Sequence, residues 1–251
     1  MPLDKTCRIE NEDREYNIMN NSKLKSPDLI IFILSAPSNR DRRGVIRNTW
    51  LKLMDRVGGD DLPTFVVRHY FIVGNFELEL NVENSLKLEQ STYDDILILP
   101  MKDGYNNLTE KVLKSFVWLK GQMDVGLDFK YVLKCDDDSF VRVDDLVREL
   151  KHLDVIYLKS DIHDLRKIND NSSPYVRVNI QSNNLQSKNR ELHWGYFKGN
   201  AQIKSSGKWK ETAWILCDTY LPYAIGGGYI LSKSLVTYLA RNANNLRYVF
   251  K

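Results

Sequence analysis

The chain has 251 residues, 43% hydrophobic and 27% charged, enough for one large α/β domain or two small ones with a proper core. Its 36 basic and 33 acidic residues leave a formal charge of +3, too small to argue for nucleic acid. No window approaches the ~18 uninterrupted apolar residues of a bilayer span and no basic-then-apolar leader appears, so the pattern predicts a soluble chain; Cys7, Cys135 and Cys217 are too scattered for a disulfide framework or zinc site.

Residues 1–27 are polar and aperiodic and read as a tail or stem remnant. Leu29 to Leu34 is a continuous apolar run, the pattern of a strand buried on both faces, and Ser35-Ala-Pro-Ser-Asn39 reads as a loop. Ile46, Trp50, Leu53 and Val57 recur at helical spacing, and Gly58-Gly59 should stop that helix. Arg43 and Arg47, near its start, could clamp a pyrophosphate, because planar guanidinium forks match phosphate oxygens. A solvated basic face is the competing reading.

Val66 to Val73 predicts a second strand ending at Gly74, and residues 76–91 a helix with Leu78, Val82, Leu86 and Leu88 on its apolar side. Asp95 to Leu99 reads as a third strand, ended by Pro100. Asn107, followed by Glu110, looks like a capping box, a reading that competes with glycosylation of the Asn107-Leu-Thr109 sequon. Two further sequons start at Asn20 and Asn171. Leu108, Val112, Phe116 and Leu119 define the core stripe of the next helix, which leaves Lys111 on another face, solvated or reaching a phosphate.

The fourth apolar run, Tyr131 to Leu133, stops shortly before Asp136, Asp137 and Asp138. Three adjacent carboxylates repel one another and resist desolvation, and a cation would relieve both costs. Continued extension would aim Asp136 and Asp138 to one side and Asp137 to the other. Two hard oxygen ligands suit Mg²⁺ or Mn²⁺ carrying substrate phosphates. The competing reading is an acidic turn with Asp144 capping the following helix. Strand–helix alternation predicts a mostly parallel sheet with helices on both faces, and ligands of such sheets bind beyond the strands' carboxyl ends. Asp136 to Asp138, Ser35 and Asp103 would share that edge.

A short helix is expected through Leu146, Val147, Leu150 and Leu153, followed by an exposed insertion over residues 159–190. Leu192 to Phe197 reads as a strand, and Gly199 to Gly207 as a hairpin or loop. Trp209, Trp214, Tyr220, Tyr223 and Tyr229 could form a platform for sugar faces or ordinary core packing. Gly226, Gly227 and Gly228 would let backbone approach a ligand closely. A last helix should run from Ser232 through Leu235, Tyr238 and Leu239. Neither a G-x-G-x-x-G fingerprint nor a P-loop lysine motif is present, which argues against dinucleotide enzymes and P-loop NTPases.

Four stretches together resemble the β-1,3-galactosyltransferase family, over about residues 29–247. They are Arg42-Arg-Gly-Val-Ile-Arg-Asn-Thr-Trp50, Tyr105-Asn-Asn-Leu-Thr-Glu-Lys111, Lys134-Cys-Asp-Asp-Asp-Ser-Phe140 and Tyr220-Leu-Pro-Tyr-Ala-Ile-Gly-Gly-Gly-Tyr229. The stretches around Trp194 and Lys208 to Trp214 look most like the galactosyltransferase II branch, which works in proteoglycan linker synthesis. The resemblance implies a GT-A-type α/β fold over residues 28–251, a UDP-galactose donor, Mn²⁺ and a Golgi type II membrane enzyme. It further implies inverting β-1,3 transfer to the galactosyl-xylosyl-serine of the glycosaminoglycan linker. By position, Asp136 and Asp138 would bind the metal. Ser35, Arg43, Arg47, Asp103, Lys111 and Asp137 would line the donor site, and Trp194, Tyr223 and Gly226 to Gly228 would face the acceptor. In relatives the catalytic base follows the last helix, so it is expected beyond Lys251, with the membrane anchor also outside the chain. The chain then reads as C-terminally truncated. The alternatives are an inactive UDP-sugar- or glycan-binding fragment, or a β-1,3-N-acetylglucosaminyltransferase.

Overall fold

A computed structural model describes residues 26–56, 65–159, 176–178, 191–207, 210–211 and 218–246. Among these residues, seven strands form one sheet in the order β3-β2-β1-β4-β7-β6-β5. They are β1 (Leu29–Leu34), β2 (Val67–Phe76), β3 (Ile96–Lys102), β4 (Tyr131–Asp136), β5 (Val176–Val178), β6 (Leu192–Lys198) and β7 (Tyr223–Ser232). The helices are α1 (Arg40–Asn48), α2 (Leu80–Tyr93), α3 (Leu108–Asp124), α4 (Val143–Lys159) and α5 (Lys233–Arg241).

All six residues of β1 are buried, as their unbroken apolar run predicts. β1 lies between β2 and β4 and is parallel to both, with Leu34 in register with Ile72 and Asp136. The alternation along β1 feeds two cores. Leu29, Ile31 and Ile33 pack with Ile46, Leu86, Val147 and Leu150 on one face; Ile30, Phe32 and Leu34 pack with Phe116, Leu119, Val236 and Ala240 on the other. Helices thus cover both faces, as expected of this α/β fold. The parallel part is β3-β2-β1-β4, and the later strands extend it with β7, β6 and β5, each antiparallel to its neighbour.

Several boundaries differ from the sequence reading, for physical reasons. The helix expected to run to Val57 breaks at Thr49 (φ −119°, ψ −103°) and continues as a 3₁₀ segment, Trp50–Arg56; Val57 lies outside the described residues. β2 passes Gly74, where an added Cβ would sit 2.7 Å from the Met101 carbonyl oxygen. β3 passes Pro100, which an edge strand tolerates because that residue's missing N–H can face away from the ladder. In α2, Leu88 is exposed and Glu89 is buried in its place. The capping box does not form: Asn107 donates its side-chain amide to the Lys102 carbonyl, and Glu110 pairs with Lys114. α4 is longer than the short helix expected, and Asp144 sits in its first turn, bonded by Arg142. β5 lies inside the supposed insertion 159–190, the rest of which is outside the described residues except the end of α4. The glycine-rich stretch is a strand, β7, and Tyr238 of α5 faces outward. No described helix is long and apolar enough to cross a membrane.

Candidate active site

Beyond the carboxyl ends of β1, β2, β3 and β4 lies a cleft of about 560 Å³. Ser35, Asn39, Phe76, Asp103, Tyr105, Lys111 and the three carboxylates Asp136, Asp137 and Asp138 are among its lining residues. The edge predicted from strand–helix alternation is therefore where these groups converge.

The acidic triplet is three residues with three different environments. β4 stops at Asp136, so strand alternation does not carry through to Asp138. Asp136 Oδ1 takes a 2.6 Å bond from the Lys134 ammonium. Asp137 is fully engaged with the β1–α1 side: Ser35 Oγ donates at 2.8 Å, Asn39 Nδ2 at 2.7 Å and Arg42 Nη1 at 3.3 Å. Its own backbone N–H donates to the Leu34 carbonyl. Asp138 is exposed at the mouth of the cleft. The triplet thus leaves one exposed carboxylate and one half-exposed carboxylate available to a cation, with the central one serving as a structural hub. No group of three or more metal-ligating side chains occurs among the described residues. A divalent ion here would need further oxygens from its own ligand, as hard cations carrying a diphosphate have. Hard carboxylate donors fit Mn²⁺ or Mg²⁺ in that mode.

Arg43 corrects the sequence reading. Its side chain is 0% exposed, and all five N–H donors are spent within the protein. Nε and Nη2 hold Glu89, Nη1 holds Ser35 Oγ and the Ala36 carbonyl, and Nη2 also reaches the Pro37 carbonyl. Arg47 bonds Glu89 and both oxygens of Asp95, and its guanidinium lies 4.0 Å from the Tyr93 ring centroid. Neither arginine is a free phosphate clamp. Arg43 fastens the β1–α1 loop that walls the cleft, and Arg47 ties α1 to Glu89 and Asp95.

Burial would push the Glu89 carboxyl up, but the bonds from Arg43 and Arg47 outweigh it and hold the group below the usual carboxylate range. Asp95 is held low in the same way: burial opposes, and His69 and Arg47 prevail. Lys111, expected off the core stripe and either solvated or reaching a phosphate, is buried. Its ammonium bonds both Asp103 oxygens (2.8 and 2.7 Å) and the Ser35 carbonyl (2.7 Å). Burial lowers its pKa, against the opposing pull of Asp103. Asp103 in turn accepts the Gly74 backbone N–H at 2.9 Å.

The predicted acceptor residues lie apart from this cleft, on the antiparallel half. Trp194 packs partly buried against the first core, and Tyr223 is 41% exposed, edge-to-face with Tyr220 at 5.9 Å. Between the pairs Gly195–Tyr229 and Phe197–Ala224, Tyr196 alone faces Ile225, Gly226, Gly227 and Gly228, so β7 bulges there. The bulge returns to the acidic end of β4, where Lys134 donates to the Gly226 carbonyl and Ser139 Oγ to that of Gly227. Trp209 and Trp214 are outside the described residues, as are the sequons at Asn20 and Asn171. Asn107 is half-buried beside the cleft.

Sequence reasoning missed Glu89, Asp95, Lys134 and Asn39. Glu89 had a signal: it continues the Leu78, Val82, Leu86 stripe three residues on, where a buried acid implies a buried cation.

The profile of the galactosyltransferase family matches residues 41–250. The chain belongs to the galactosyltransferase family. This family member is 37% identical to mouse beta-1,3-galactosyltransferase 6 over 220 residues, 87% of the chain and 55% of the relative. It is 27% identical to Arabidopsis thaliana hydroxyproline O-galactosyltransferase GALT2 over 89% of the chain and 26% of that protein. Against the Xenopus tropicalis lactosylceramide 1,3-N-acetyl-beta-D-glucosaminyltransferase, identity is 29% over 56% of the chain and 37% of the relative. The chain thus spans about half the length of the mouse relative, and less of the others.

Proposed function

We propose that the chain carries out UDP-galactose-dependent β-1,3-galactosyl transfer, with inversion, to the galactosyl-xylosyl acceptor of the glycosaminoglycan–protein linker in the Golgi, with Mn²⁺ as cofactor. The observation that carries this reading is the pair Asp136 and Asp138 at the cleft of a galactosyltransferase-family chain. The linker acceptor is favoured by the 37% identity to the mouse enzyme named beta-1,3-galactosyltransferase 6.

Asp136 and Asp138 would hold the metal, which when bound supplies charge stabilisation to the departing diphosphate. Asp137 keeps the loop Ser35–Asn39 against the end of β4 and so fixes the wall beside the nucleotide. Asp103 and Lys111 brace the neighbouring wall through Gly74 and the Ser35 carbonyl. Inversion requires the acceptor hydroxyl to attack from the face opposite the diphosphate, so its proton leaves to a carboxylate base outside the acidic triplet. The exposed ring of Tyr223 offers an apolar face to the acceptor sugar.

Calorimetry of UDP binding tests the donor site: Mn²⁺ should strengthen binding, and Asp138→Ala should abolish the metal-dependent part. Binding indifferent to metal would sink this reading. A transfer assay with a galactosyl-xyloside tests donor and acceptor together. Preferential use of UDP-N-acetylglucosamine would overturn the galactosyl assignment.

A further inference from the structure

Lys134 is an unusual residue for its position. It sits in the interior of β4, between Leu133 and Cys135, and is only 6% exposed. A buried ammonium is costly unless its three donors are occupied by acceptors. Its acceptors come from both halves of the site: Asp136 Oδ1 at the metal end, and the Gly226 carbonyl in the β7 bulge. The Tyr229 ring lies 5.9 Å away, on the residue paired with Lys134 across the ladder. The bulge is possible because Gly195, opposite it, has no side chain; a Cβ there would meet Tyr229 Cβ at 3.0 Å and the Gly228 carbonyl at 3.2 Å.

We propose that Lys134 is a positioning residue that locks the acceptor-side glycine bulge to the donor-side carboxylate Asp136, so that the two half-sites keep one register. Alternation along β4 puts Lys134 and Asp136 on the same face two residues apart, so the ammonium reaches the carboxylate without leaving the strand. The bulge supplies the second anchor because its backbone departs from the ladder there, leaving the Gly226 oxygen free of strand pairing and aimed at the ammonium. The Ser139 hydroxyl is a second, neutral fastener, bonding the bulge through the Gly227 carbonyl. Lys134 also offsets the repulsion between Asp136 and an incoming diphosphate, which a neutral side chain could not do. This inference rests on the donor reading above for its second arm only.

The test uses the full chain carrying Lys134→Met, Lys134→Arg or Ser139→Ala, each first shown to be folded by circular dichroism. Backbone amide exchange over residues 224–230, without nucleotide, reads the bulge. Mn²⁺-dependent UDP affinity by calorimetry reads the carboxylate. Lys134→Met should speed exchange in the bulge and weaken Mn²⁺–UDP binding each at least about tenfold, a lower bound for removing one partner of a buried charge pair. Lys134→Arg, which keeps the charge, should recover most of the affinity. Ser139→Ala should loosen the bulge while leaving affinity within about threefold, since the hydroxyl it removes bonds only the bulge and the backbone bond from Ser139 to the Asp136 carbonyl is kept. Lys134→Met with wild-type exchange, or with affinity within threefold of wild type, would overturn the proposal. Failure of the wild-type chain to bind UDP would refute the donor reading instead, because the exchange comparison needs no nucleotide.

Discussion

Glu89→Gln removes one charge and changes almost no volume, which makes it a sharp probe of how the cleft wall is held. Glu89 is 0% exposed and accepts three bonds, from Arg43 Nε (2.9 Å), Arg43 Nη2 (2.7 Å) and Arg47 Nη1 (2.8 Å). The amide keeps one acceptor oxygen but turns an NH₂ toward cationic donors, leaving a fully buried guanidinium short of its counter-charge. Charge-assisted bonds contribute about 1.5–3 kcal/mol each. They share one carboxylate, however, so the loss is better taken as that of one broken buried pair, about 3–5 kcal/mol. At roughly 2–4 °C per kcal/mol for a domain of this size, Tm should fall by roughly 6–20 °C in calorimetry at neutral pH. Glu83→Gln is the control: its exposed pairing with Lys87 in the same helix is worth under about 0.5 kcal/mol. A Glu89→Gln shift no larger than that control would refute the view that this carboxylate organises the arginines.

The acid limb of stability should depend on the same residue. Glu89 and Asp95 are held below their ordinary range in the fold, so their stabilisation is complete above about pH 4.3 and is lost as pH falls through their lowered native values. Tm measured from pH 7 downward should drop steeply in the wild type and less steeply in Glu89→Gln; parallel curves would count against the assignment. Gly74→Ala places a methyl 2.7 Å from the Met101 carbonyl oxygen and 3.1 Å from the Asp103 nitrogen, both backbone atoms. It should destabilise by about 1–3 kcal/mol and weaken UDP binding by shifting Asp103, and an unchanged denaturant midpoint would contradict the close approach.

Much of the parallel half could be read from the chain because its signals are local. β1 is an unbroken apolar run, and the helical stripes through Phe116 and Leu119 point at a core. The same rule misplaced charged residues that behave as core. Arg43, Glu89 and Lys111 are buried, yet a count of apolar residues passes over each because it is charged, even Glu89, which falls on the core stripe. Their burial depends on partners 46 positions away for Arg43 and Glu89, and 76 for Lys111 and Ser35, which no local window contains. The antiparallel half hid for another reason. The run Gly226 to Gly228 signals close backbone approach, but a bulged strand and a ligand loop look alike until the partner strand is known. Asp136 to Asp138 was placed at the right edge, and what the chain could not reveal was the division of labour among them.

The tether through Asp137 also says when this site comes into being. Ser35 and Asp137 are 102 positions apart, so their bond closes only after β4 has docked beside β1. Until then the first loop is held by Arg43 and Lys111 but lacks its tie to Asp137, and the acidic strand end has no neighbour, so a chain emerging in order from its N-terminus would carry most of the pocket without its acidic side. If the donor proposal holds, nucleotide affinity would appear late and all at once during refolding, and bound UDP would report completed assembly.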